Sequence, residues 1–555
     1  MHRSFDYIIV GAGAGGCVLA SRLTERASNS VLLIEAGADI PAGAEPADIA
    51  GVYAASYFNK SYFWPGLKAT WCRDAPRSAF PQARIFGGGG SVMGMVALRG
   101  TANDYDAWAQ MGAAGWDWES MLPYFRKLEN DWDFSGDLHG DAGPVPIRRL
   151  PRAEWPPLAR AVEDCAQAAG LPFIADMNGD FRDGYGVVPM SCTTERRASS
   201  AMCYLDADVR RRDNLHVITS SRVDRVDFDR TRAVGVTVTT AGAQHTFGAR
   251  ETIITAGAIF SPALLMRSGV GDAAALRDLG ISVVADLPGV GANLQNHPIL
   301  FIGLHLHRHG RQHAALRTVP AVTLRYSSGF EGCAPNDLYI NVQSKTSWNA
   351  MGRHIANVAP SLLKPCSRGR VSLDSASADM APRVDFNFLD DARDLPRLVD
   401  AYTRAIGIVY SDAVRAIASE PFALRFSDRL RRLNERTRGN AIRSAVIAAA
   451  IDTVPGMRDL VVRNLVGARV DLRALASDPD RLAQHVTDNV AGVFHPAGTC
   501  RMGSAGDRAA VVDPSGRVYG VEGLRVADAS IMPTIVAGNT NIPTIMIAEK
   551  IAAAM

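Results

Sequence analysis

Hydrophobic positions at the start of the chain predict a strand, a turn and a helix in close succession. Residues 5–10 (FDYIIV) form a short run of apolar, aromatic and β-branched residues, which is typical of a buried strand. The glycine cluster GAGAGG follows at 11–16, and residues 17–23 (CVLASRL) have the composition of a helix. A second apolar run, VLLI at 31–34, ends at Glu35, about 20 residues beyond the glycines. The pattern predicts a βαβ unit with a glycine-rich first turn.

Further along the chain, more strands, turns and a helix are predicted. Residues 214–219 and 234–238 are rich in β-branched residues, and we expect them to be strands of a β-meander. Residues 252–258 (TIITAGA) predict a buried strand that enters a turn of small residues. Ser261 and Pro262 are expected to begin a helix, with the serine as its cap and the proline in its first turn.

Two stretches are unusual in composition. Aromatic residues are concentrated between Tyr53 and Trp64, where they could line a substrate entrance, although core packing is the commoner reason for such a cluster. The run GGGG at 87–90 suits a backbone wrapped closely on a cofactor, or else a flexible surface loop. Between residues 300 and 470 the alternation of strands and helices is lost, and then further motifs follow. We therefore expect a domain whose parts are separated in sequence.

Composition narrows the class of protein. The chain has 555 residues, 47% of them hydrophobic, which is enough for two domains or one composite domain. A formal net charge of +2 gives no reason to expect nucleic-acid binding. Eight cysteines without a CxxC spacing signal neither a metal site nor a disulfide framework, so we expect no metal and a cytoplasmic protein with reduced thiols. We expect neither a signal peptide nor a transmembrane segment.

The glycine cluster has the spacing of a dinucleotide-binding turn. Gly11 permits the tight turn, Gly13 lets the backbone approach a pyrophosphate, and Gly16 lets the helix pack closely on the strand. The N-terminus of the helix offers unpaired N–H groups to the phosphates. Glu35 suits a ribose with free hydroxyl groups, which favours FAD or NAD over NADP. An ordinary glycine-rich turn is the less favoured alternative.

Two motifs near the C-terminus supply candidate chemistry. FHPAGT at 494–499 contains His495, and GNTNIP at 538–543 contains Asn539. An imidazole with a pKa near 6.5 is largely free to accept a proton at neutral pH, whereas an amide cannot titrate and would orient a substrate by hydrogen bonding. A lone histidine is more often structural. Together with the dinucleotide fingerprint, however, this pair indicates the base and hydrogen-bonding partner of a flavin enzyme that oxidises alcohols.

These motifs resemble, in the same order, those of the glucose–methanol–choline (GMC) oxidoreductase family along essentially the whole chain. The matching segments are VGAGAGGC at 10–17, the loop around Gly88, TAGA at 255–258 with Ser261 and Pro262, PGVGANL at 288–294, the His495 motif, LRVADAS at 524–530, and NIP at 541–543 running into AEK at 548–550. The subfamily that looks most similar is that of bacterial 5-hydroxymethylfurfural and aryl-alcohol oxidases. The segments of this chain that resemble the subfamily are FWPGL at 63–67, DYDAW at 104–108, GWDW at 115–118 and VDFN at 384–387.

The resemblance implies an α/β fold, more fully an α+β composite. A Rossmann-like FAD-binding domain of residues 1–150, 206–300 and 471–555 would be interleaved with a sheet-and-helix substrate-binding domain of residues 151–205 and 301–470. The residues implied to hold FAD are Gly11, Gly13, Ala14, Gly16, Glu35, Gly88, Ser91, Val223 (through its backbone, at adenine), Ala256, Phe494, Asp528, Ala529 and Thr540. Val92 stands where some relatives attach FAD through a histidine, so FAD should be bound without a covalent link.

The implied reaction is hydride transfer from a primary alcohol to flavin N5, with His495 as base and Asn539 as its partner. An aryl or furan alcohol is the expected substrate, and oxygen or a quinone-like compound the expected electron acceptor. Gly90 and Met93 depart from the serine and asparagine common in the glycine loop, which bears on contacts around the flavin. Asn296, where an aspartate is common, looks peripheral to the chemistry.

Alternative functions remain open at this stage. A choline or polyethylene-glycol dehydrogenase is the second candidate, and a hydroxynitrile lyase that uses the fold without net redox chemistry is a third. A disulfide reductase would need a redox cysteine pair, for which no suitable spacing exists. Arginines outnumber acids in residues 425–473, around the apolar run AVIAAAI at 445–451. Peripheral attachment to an anionic membrane is one interpretation, but a helix that packs its apolar side on the substrate domain is favoured.

Overall fold

The first sheet is built around the predicted βαβ unit. The structure, a computed structural model, describes residues 4–317, 320–425, 427–468 and 470–555. This sheet has seven strands. Their order is Leu215–Ile218, Val31–Ile34, Ser4–Val10, Ala243–Ile254, Arg232–Thr240 and Ser221–Asp229, with Leu524–Val526 paired to Ala243–Ile254.

The strand Ser4–Val10 lies in the middle of this sheet, between two parallel neighbours. Its apolar run is nearly continuous because a parallel sheet is covered on both faces. One covering element is the helix Ala14–Leu23, which packs against the C-terminal helix Asn541–Ala553. The two ends of the chain therefore meet beside the glycine turn.

Two expectations about local structure are wrong. The strand Leu215–Ile218 pairs in parallel with Val31–Ile34 at the sheet edge, so it is outside the meander, which consists of the three strands from 221 to 254. The helix expected to start at Ser261 begins at Gly257 and runs to Arg267. Ser261 and Pro262 consequently lie inside the helix rather than at its cap.

The second sheet is mainly antiparallel and has ten strands. Eight follow in the order Gly467–Ala468, Phe422–Leu424, Ile302–His305, Ile355–Leu362, Leu338–Gln343, Pro320–Tyr326, Gly184–Val187 and Phe173–Ile174, and Pro298–Ile299 pairs with both Ile355–Leu362 and the tenth strand, Ala491–Gly492. The long helix Asp394–Val409 packs on this sheet. Residues 300–470, in which the alternation of strands and helices is lost, thus supply most of an antiparallel sheet.

Shorter elements fill the space around the two sheets. The other helices of nine or more residues are Ala102–Gln110, Trp118–Leu128, Pro157–Ala168, Arg438–Thr453 and Pro479–Asn489. Two small sheets contain Lys68–Thr70, Ser78–Ala79, Arg370–Ser372 and Arg383–Asp385, and Glu129–Asp131, Val145–Arg148 and Met190–Ser191. No helix within the described residues is both long and apolar enough to cross a bilayer.

Candidate active site

The glycine turn after the first strand is packed so tightly that side chains are excluded. Gly11 has a φ of +103°, and a Cβ atom there would lie 2.7 Å from the carbonyl oxygen of Thr255. A Cβ atom on Gly16 would lie 1.9 Å from the carbonyl oxygen of Gly11. Gly13 and Ala14 line a large cavity, whereas Gly16 provides the close contact between helix and strand.

The second glycine loop is packed on the first. Gly88 has a φ of +55°, and a Cβ atom there would lie 3.0 Å from the Cα atom of Gly13. Ser91 is buried and donates its hydroxyl to the carbonyl of Phe86 at 2.9 Å, so its side chain ties the loop together instead of lining the cavity. These contacts are not those of a flexible surface loop.

Arg197, which the sequence did not single out, anchors the same loop. Its buried guanidinium donates to the carbonyls of Gly90 at 3.0 Å and Met93 at 2.6 Å. Both Gly90 and Met93 line the cavity. The two positions that depart from the family pattern therefore face the space where a flavin would lie, and their backbones are held by a buried arginine.

Glu35 lies where the ribose-binding acid is expected, just after the strand Val31–Ile34. Its Oε2 atom accepts a hydrogen bond from the backbone N–H of Ala12 at 2.9 Å, and its Oε1 atom accepts one from Gly37 at 2.7 Å. Burial raises the pKa of Glu35 to about 7, although these two hydrogen bonds act in the opposite direction. Glu35 also lines the cavity, so its remaining lone pairs can accept from ribose hydroxyl groups.

Three long helices begin at the wall of this cavity, at Ala14, Gly257 and Asn541. The first N–H groups of a helix have no partner within it, and the helix dipole favours negative charge at that end. Other expected FAD-binding residues that line the same cavity are Val223, Ala256, Asp528, Ala529 and Thr540. The three helix N-termini suit the pyrophosphate of a dinucleotide. The residues that line the cavity therefore fit FAD, the cofactor expected from the sequence.

Asp528 organises one of these helix ends. Its Oδ2 atom accepts hydrogen bonds from the backbone N–H of Gly257 at 2.8 Å and from the hydroxyl of Ser261 at 2.6 Å. Its Oδ1 atom accepts from the backbone N–H of Ser530 at 2.8 Å. Burial raises the pKa of this carboxyl group. The described contacts of Asp528 hold the start of the helix Gly257–Arg267 against the cavity.

The cavity continues from the glycine turns to the C-terminal motifs. Its volume is about 1310 Å³, which exceeds the ~300–1,000 Å³ of pockets for drug-sized ligands and leaves room for a dinucleotide and a substrate. It is also lined by Phe494, His495 and Asn539. Residues of the aromatic stretch that line it are Tyr53, Tyr57, Phe58, Phe63 and Trp64. Phe63 and Trp64 also pack against the hydrophobic core, so the stretch both lines the cavity and contributes to packing.

His495 and Asn539, predicted from separate motifs, are in direct contact. The Nε2 atom of His495 lies 3.0 Å from the Nδ2 atom of Asn539. Burial lowers the pKa of His495 to about 4, so the imidazole is neutral at neutral pH. The ring of Phe494 lies against Tyr57, with 5.4 Å between ring centroids. A neutral imidazole and a side-chain amide therefore meet beside an aromatic wall.

Two further residues contact His495: His297, which the sequence analysis did not single out, and Asn296. His297 places its Nδ1 atom 3.0 Å from the Nδ1 atom of His495. Asn296 accepts hydrogen bonds from the backbone N–H groups of His297 at 2.9 Å and His495 at 3.2 Å, and donates to the carbonyl of Val493 at 2.7 Å. Asn296 therefore holds the backbone of His495 in place, and its expected minor role in the chemistry stays a prediction. The sequence signal that could have pointed to Asn296 and His297 is their position directly after the PGVGANL motif.

Comparison of the sequence with known protein families agrees with a site for FAD and an alcohol. Two family models, both described as GMC oxidoreductase, match residues 5–299 and 365–548. The chain belongs to the GMC oxidoreductase family. GMC oxidoreductases use FAD and act on CH–OH donors, so the predicted fold class and enzyme class are confirmed.

Individual GMC relatives are similar over their full length. The chain is 39% identical to a 5-(hydroxymethyl)furfural oxidase of Methylovorus sp., with 99% of this chain and 98% of that protein covered. It is 33% identical to an oxygen-dependent choline dehydrogenase of Vibrio vulnificus, with coverage of 100% and 94%. The crystal structure of pyridoxine 4-oxidase from Mesorbium loti superimposes with a TM-score of 0.80 at 25% identity, covering 99% of both chains.

Proposed function

We propose that the protein oxidises a primary alcohol on an aromatic or furan ring to the aldehyde, with His495 as base and Asn539 as hydrogen-bond donor. The observation that carries the proposal is the convergence of His495 Nε2 and Asn539 Nδ2, 3.0 Å apart, at the cavity wall. One alcohol oxygen can lie within hydrogen-bond reach of both atoms. Bound FAD supplies the acceptor for the hydride that leaves the alcohol carbon.

The two polar residues divide the work at the alcohol oxygen. His495 is neutral because burial lowers its pKa, so its Nε2 lone pair takes the hydroxyl proton. The amide of Asn539 has two N–H donors and no charge, so it stabilises the oxygen as negative charge develops there.

An aromatic substrate suits the walls of the cavity. Tyr57 contacts Phe494 with 5.4 Å between centroids and Phe63 with 6.0 Å. A flat ring can pack on such side chains, and hydride loss next to a ring is easier because the π system shares the developing positive charge. The furfural oxidase among the relatives supports the same substrate class.

Choline is the second candidate, favoured by the relatives described as oxygen-dependent choline dehydrogenases. A quaternary ammonium group would want an aromatic cage and a carboxylate. Glu435 also lines the cavity, but it forms an ion pair with Lys60 at 2.5 Å. This pairing makes the carboxylate less available to a substrate cation, so we rank choline below the aryl alcohols.

Oxygen is the proposed electron acceptor, and FAD is proposed to bind without a covalent link. Val92 is buried at the end of the short helix Gly89–Val92, and a valine offers no nucleophile to a flavin. The furfural oxidase relative supports oxygen, whereas Gly90 and Met93 alter the lining beside the flavin.

Anaerobic reduction of the flavin by a panel of alcohols tests the function. We expect benzylic and furfuryl alcohols to bleach the flavin with a higher kcat/KM than choline or short aliphatic alcohols. His495→Ala should slow bleaching by about 100-fold with FAD still bound, while the exposed His245→Ala serves as a matched control with wild-type rates.

Several results would contradict the proposal. A clear preference for choline would overturn the substrate class. A bound flavin that no alcohol bleaches would favour a non-redox function such as a hydroxynitrile lyase. Bleaching without peroxide on exposure to air would overturn only the choice of oxygen and favour a quinone-like acceptor.

A further inference from the structure

A second histidine lies directly behind the proposed base. His297 is 1% exposed, and its Nδ1 atom lies 3.0 Å from the Nδ1 atom of His495. Its other ring nitrogen, Nε2, lies 3.1 Å from the carbonyl oxygen of Val536. The two rings are nearly perpendicular, at 81° with centroids 5.1 Å apart. The pair therefore meets edge to edge through nitrogen atoms and does not stack.

The positions of the protons follow from these contacts. A backbone carbonyl can only accept, so His297 Nε2 must carry the proton that it donates to Val536. Neutral His297 then has a bare Nδ1 atom, which can only accept, and His495 Nδ1 must be the donor. His495 Nε2 is consequently bare, and it accepts from the amide of Asn539. Val536, His297, His495 and Asn539 thus form a row of hydrogen-bonded groups, and one arrangement of protons satisfies all its contacts.

We propose that His297 is a positioning residue that holds His495 in the tautomer whose bare Nε2 atom faces the substrate. The inference rests on the proposed function, because it assumes that His495 is the base. A histidine free to exchange tautomers would carry its proton on Nε2 for part of the time and could not accept another there. His297 therefore acts through His495 rather than on the substrate.

The arrangement requires His297 to remain neutral. A cationic His297 would carry a proton on Nδ1 that opposes the proton on His495 Nδ1. Burial, followed by the neighbouring His495 and Lys364, keeps the pKa of His297 well below its usual range. Lys364 is itself paired with Asp104 at 2.6 Å. Burial is thus the main cause that disfavours protonation of His297, against the opposing effect of its hydrogen bond to Val536.

The carbonyl at the end of the row is also fixed in place. The backbone N–H of Gly538 donates to the oxygen of Val536 at 2.8 Å. The backbone N–H of Ala537 donates to Asp104 at 2.8 Å, the same carboxylate that pairs with Lys364. Val536 is therefore part of a rigid segment, and the tautomer of His495 is ultimately set by the backbone of the loop that leads to Asn539.

A neutral partner has a further consequence. In serine proteases an aspartate orients the histidine and also stabilises its cation. His297 orients the base without a negative charge, so His495 remains neutral down to low pH. Nor can His297 pass a proton onward, because its outer nitrogen meets a carbonyl that has none to exchange. The proton taken from the alcohol must leave on the cavity side.

Nitrogen NMR of the holoenzyme labelled with ¹⁵N-histidine tests the tautomer directly. We expect the Nε2 atom of His495 to show the shift of an unprotonated ring nitrogen and its Nδ1 atom that of a protonated one. The His495→Asn and His297→Asn spectra assign the two residues by difference. A protonated Nε2 in the wild-type holoenzyme would overturn the proposal, whatever the substrate is.

Variants test the role in the reaction. His297→Phe removes the acceptor, so we expect flavin reduction to slow by about 5-fold or more, but by less than the ~100-fold expected for loss of the base itself. His297→Asp supplies a charged acceptor and should raise the pKa seen in the acidic limb of kcat/KM by about 1 unit or more. His305→Asn, a buried histidine elsewhere, is the control and should change neither quantity.

The outcomes separate this inference from the proposed function. If no alcohol reduces the wild-type flavin, the function is wrong while the NMR experiment still decides the tautomer. If the His297→Phe variant keeps both its FAD and the wild-type reduction rate, the positioning role is wrong although the function stands. Should that variant not fold, the wild-type spectrum and the shift in His297→Asp decide the question.

Discussion

At the scale of single residues, the protonation of His495 controls the predicted chemistry. Burial lowers its pKa from the ordinary 6.5 to about 4. A base works only when unprotonated, so kcat/KM should be flat between pH 6 and 8 and should fall about tenfold per unit below pH ~4. A pH profile of flavin reduction with a benzylic alcohol measures this limb. A limb centred above pH 6 would contradict the assignment.

The same shift links His495 to stability. Its folded pKa lies below the unfolded value, so between pH 6.5 and about 4 the unfolded chain binds more protons than the folded one. Stability is therefore complete above pH 6.5 and falls as the pH drops through this window. Flavin fluorescence and circular dichroism, recorded at each pH, separate loss of structure from titration of the base.

How far the site can be predicted from sequence depends on whether a residue lies in a local motif. His495 and Asn539 each stand in a recognisable phrase, and the structure brings them to 3.0 Å. His297 contacts a residue 198 positions away, and no periodicity or spacing connects them. Arg197 likewise holds a glycine loop far from it in sequence. Such partners are determined by tertiary packing, which a single sequence does not display.

At the scale of elements, the helix Gly257–Arg267 shows why a proline can mislead. Pro262 has no N–H group, so the carbonyl of Ala258 loses its helical partner. The hydroxyl of Thr499 donates to that carbonyl at 2.6 Å. The helix therefore continues through Pro262, because the orphaned carbonyl is satisfied from the His495 motif.

This contact gives a testable prediction. Thr499→Val keeps the shape of the side chain but leaves the buried carbonyl of Ala258 unpaired, at a cost of about 1–3 kcal/mol in unfolding free energy. Thr499→Ser retains the hydroxyl and should lose less. Urea denaturation of both variants measures the difference. Equal stability of the valine variant and the wild type would show that the hydrogen bond is unimportant.

The helix Arg438–Thr453 follows its sequence-based prediction along one part of its apolar side. Its apolar side was expected to pack on the substrate domain, and Ile447 and Ile451 do pack in a cluster with Phe422. Ile442 and Val446, in contrast, are 67% and 63% exposed. Asn440 and Ser444 are buried together with Ala448 and Ile451. Asn440 tolerates burial because its amide donates to two backbone carbonyls at 2.7 and 3.0 Å. Residues 426 and 469 of the arginine-rich segment lie outside the described residues.

Replacing the exposed side chains should therefore cost little. We expect Ile442→Gln and Val446→Gln to change the unfolding free energy by less than about 0.5 kcal/mol, as is usual for surface substitutions. Ile451→Gln is the matched control on the same helix, because Ile451 is only 9% exposed. It should lose about 2 kcal/mol or more. Thermal denaturation measured side by side compares the three variants.

Peripheral attachment to an anionic membrane stays a proposal, which the same variants test. The exposed apolar pair and the arginines around it would have to insert at a lipid surface. Co-sedimentation with anionic vesicles at low salt, lost at high salt and weakened in the Ile442→Gln/Val446→Gln double variant, would support attachment. Absence of binding at both salt concentrations would exclude it.

At the scale of the whole molecule, the loss of strand–helix alternation between residues 300 and 470 indicated a domain in separate parts, but the boundaries of those parts came only from the resemblance. The strand Leu524–Val526 pairs with Ala243–Ile254, and the first helix packs on the last. Nothing in the composition of these segments specifies such distant partners. The strands Pro298–Ile299 and Ala491–Gly492 lie within the ranges predicted for the FAD-binding domain but join the second sheet. The proposed domain division remains a prediction.

Segments that are distant in sequence line the same cavity, so a cofactor bound there should stabilise the whole fold. The cavity takes its walls from the first glycine turn, the glycine loop, the start of the helix at Gly257 and the C-terminal motifs. A ligand bound only by the folded state adds RT ln(1 + [L]/Kd), or about 2.7 kcal/mol at 100 times Kd. FAD should therefore raise the melting temperature of the apoprotein in a concentration-dependent manner.

Precipitation of the holoprotein decides how FAD is attached. With Val92 in place of a histidine, acid or heat precipitation should release yellow FAD into the supernatant, and the apoprotein should regain its flavin on addition of FAD. Val92→His is the informative counterpart, because it restores the nucleophile that some relatives use. Flavin that stays with the precipitated wild-type polypeptide would contradict non-covalent binding and point to a linkage through another side chain at the cavity wall.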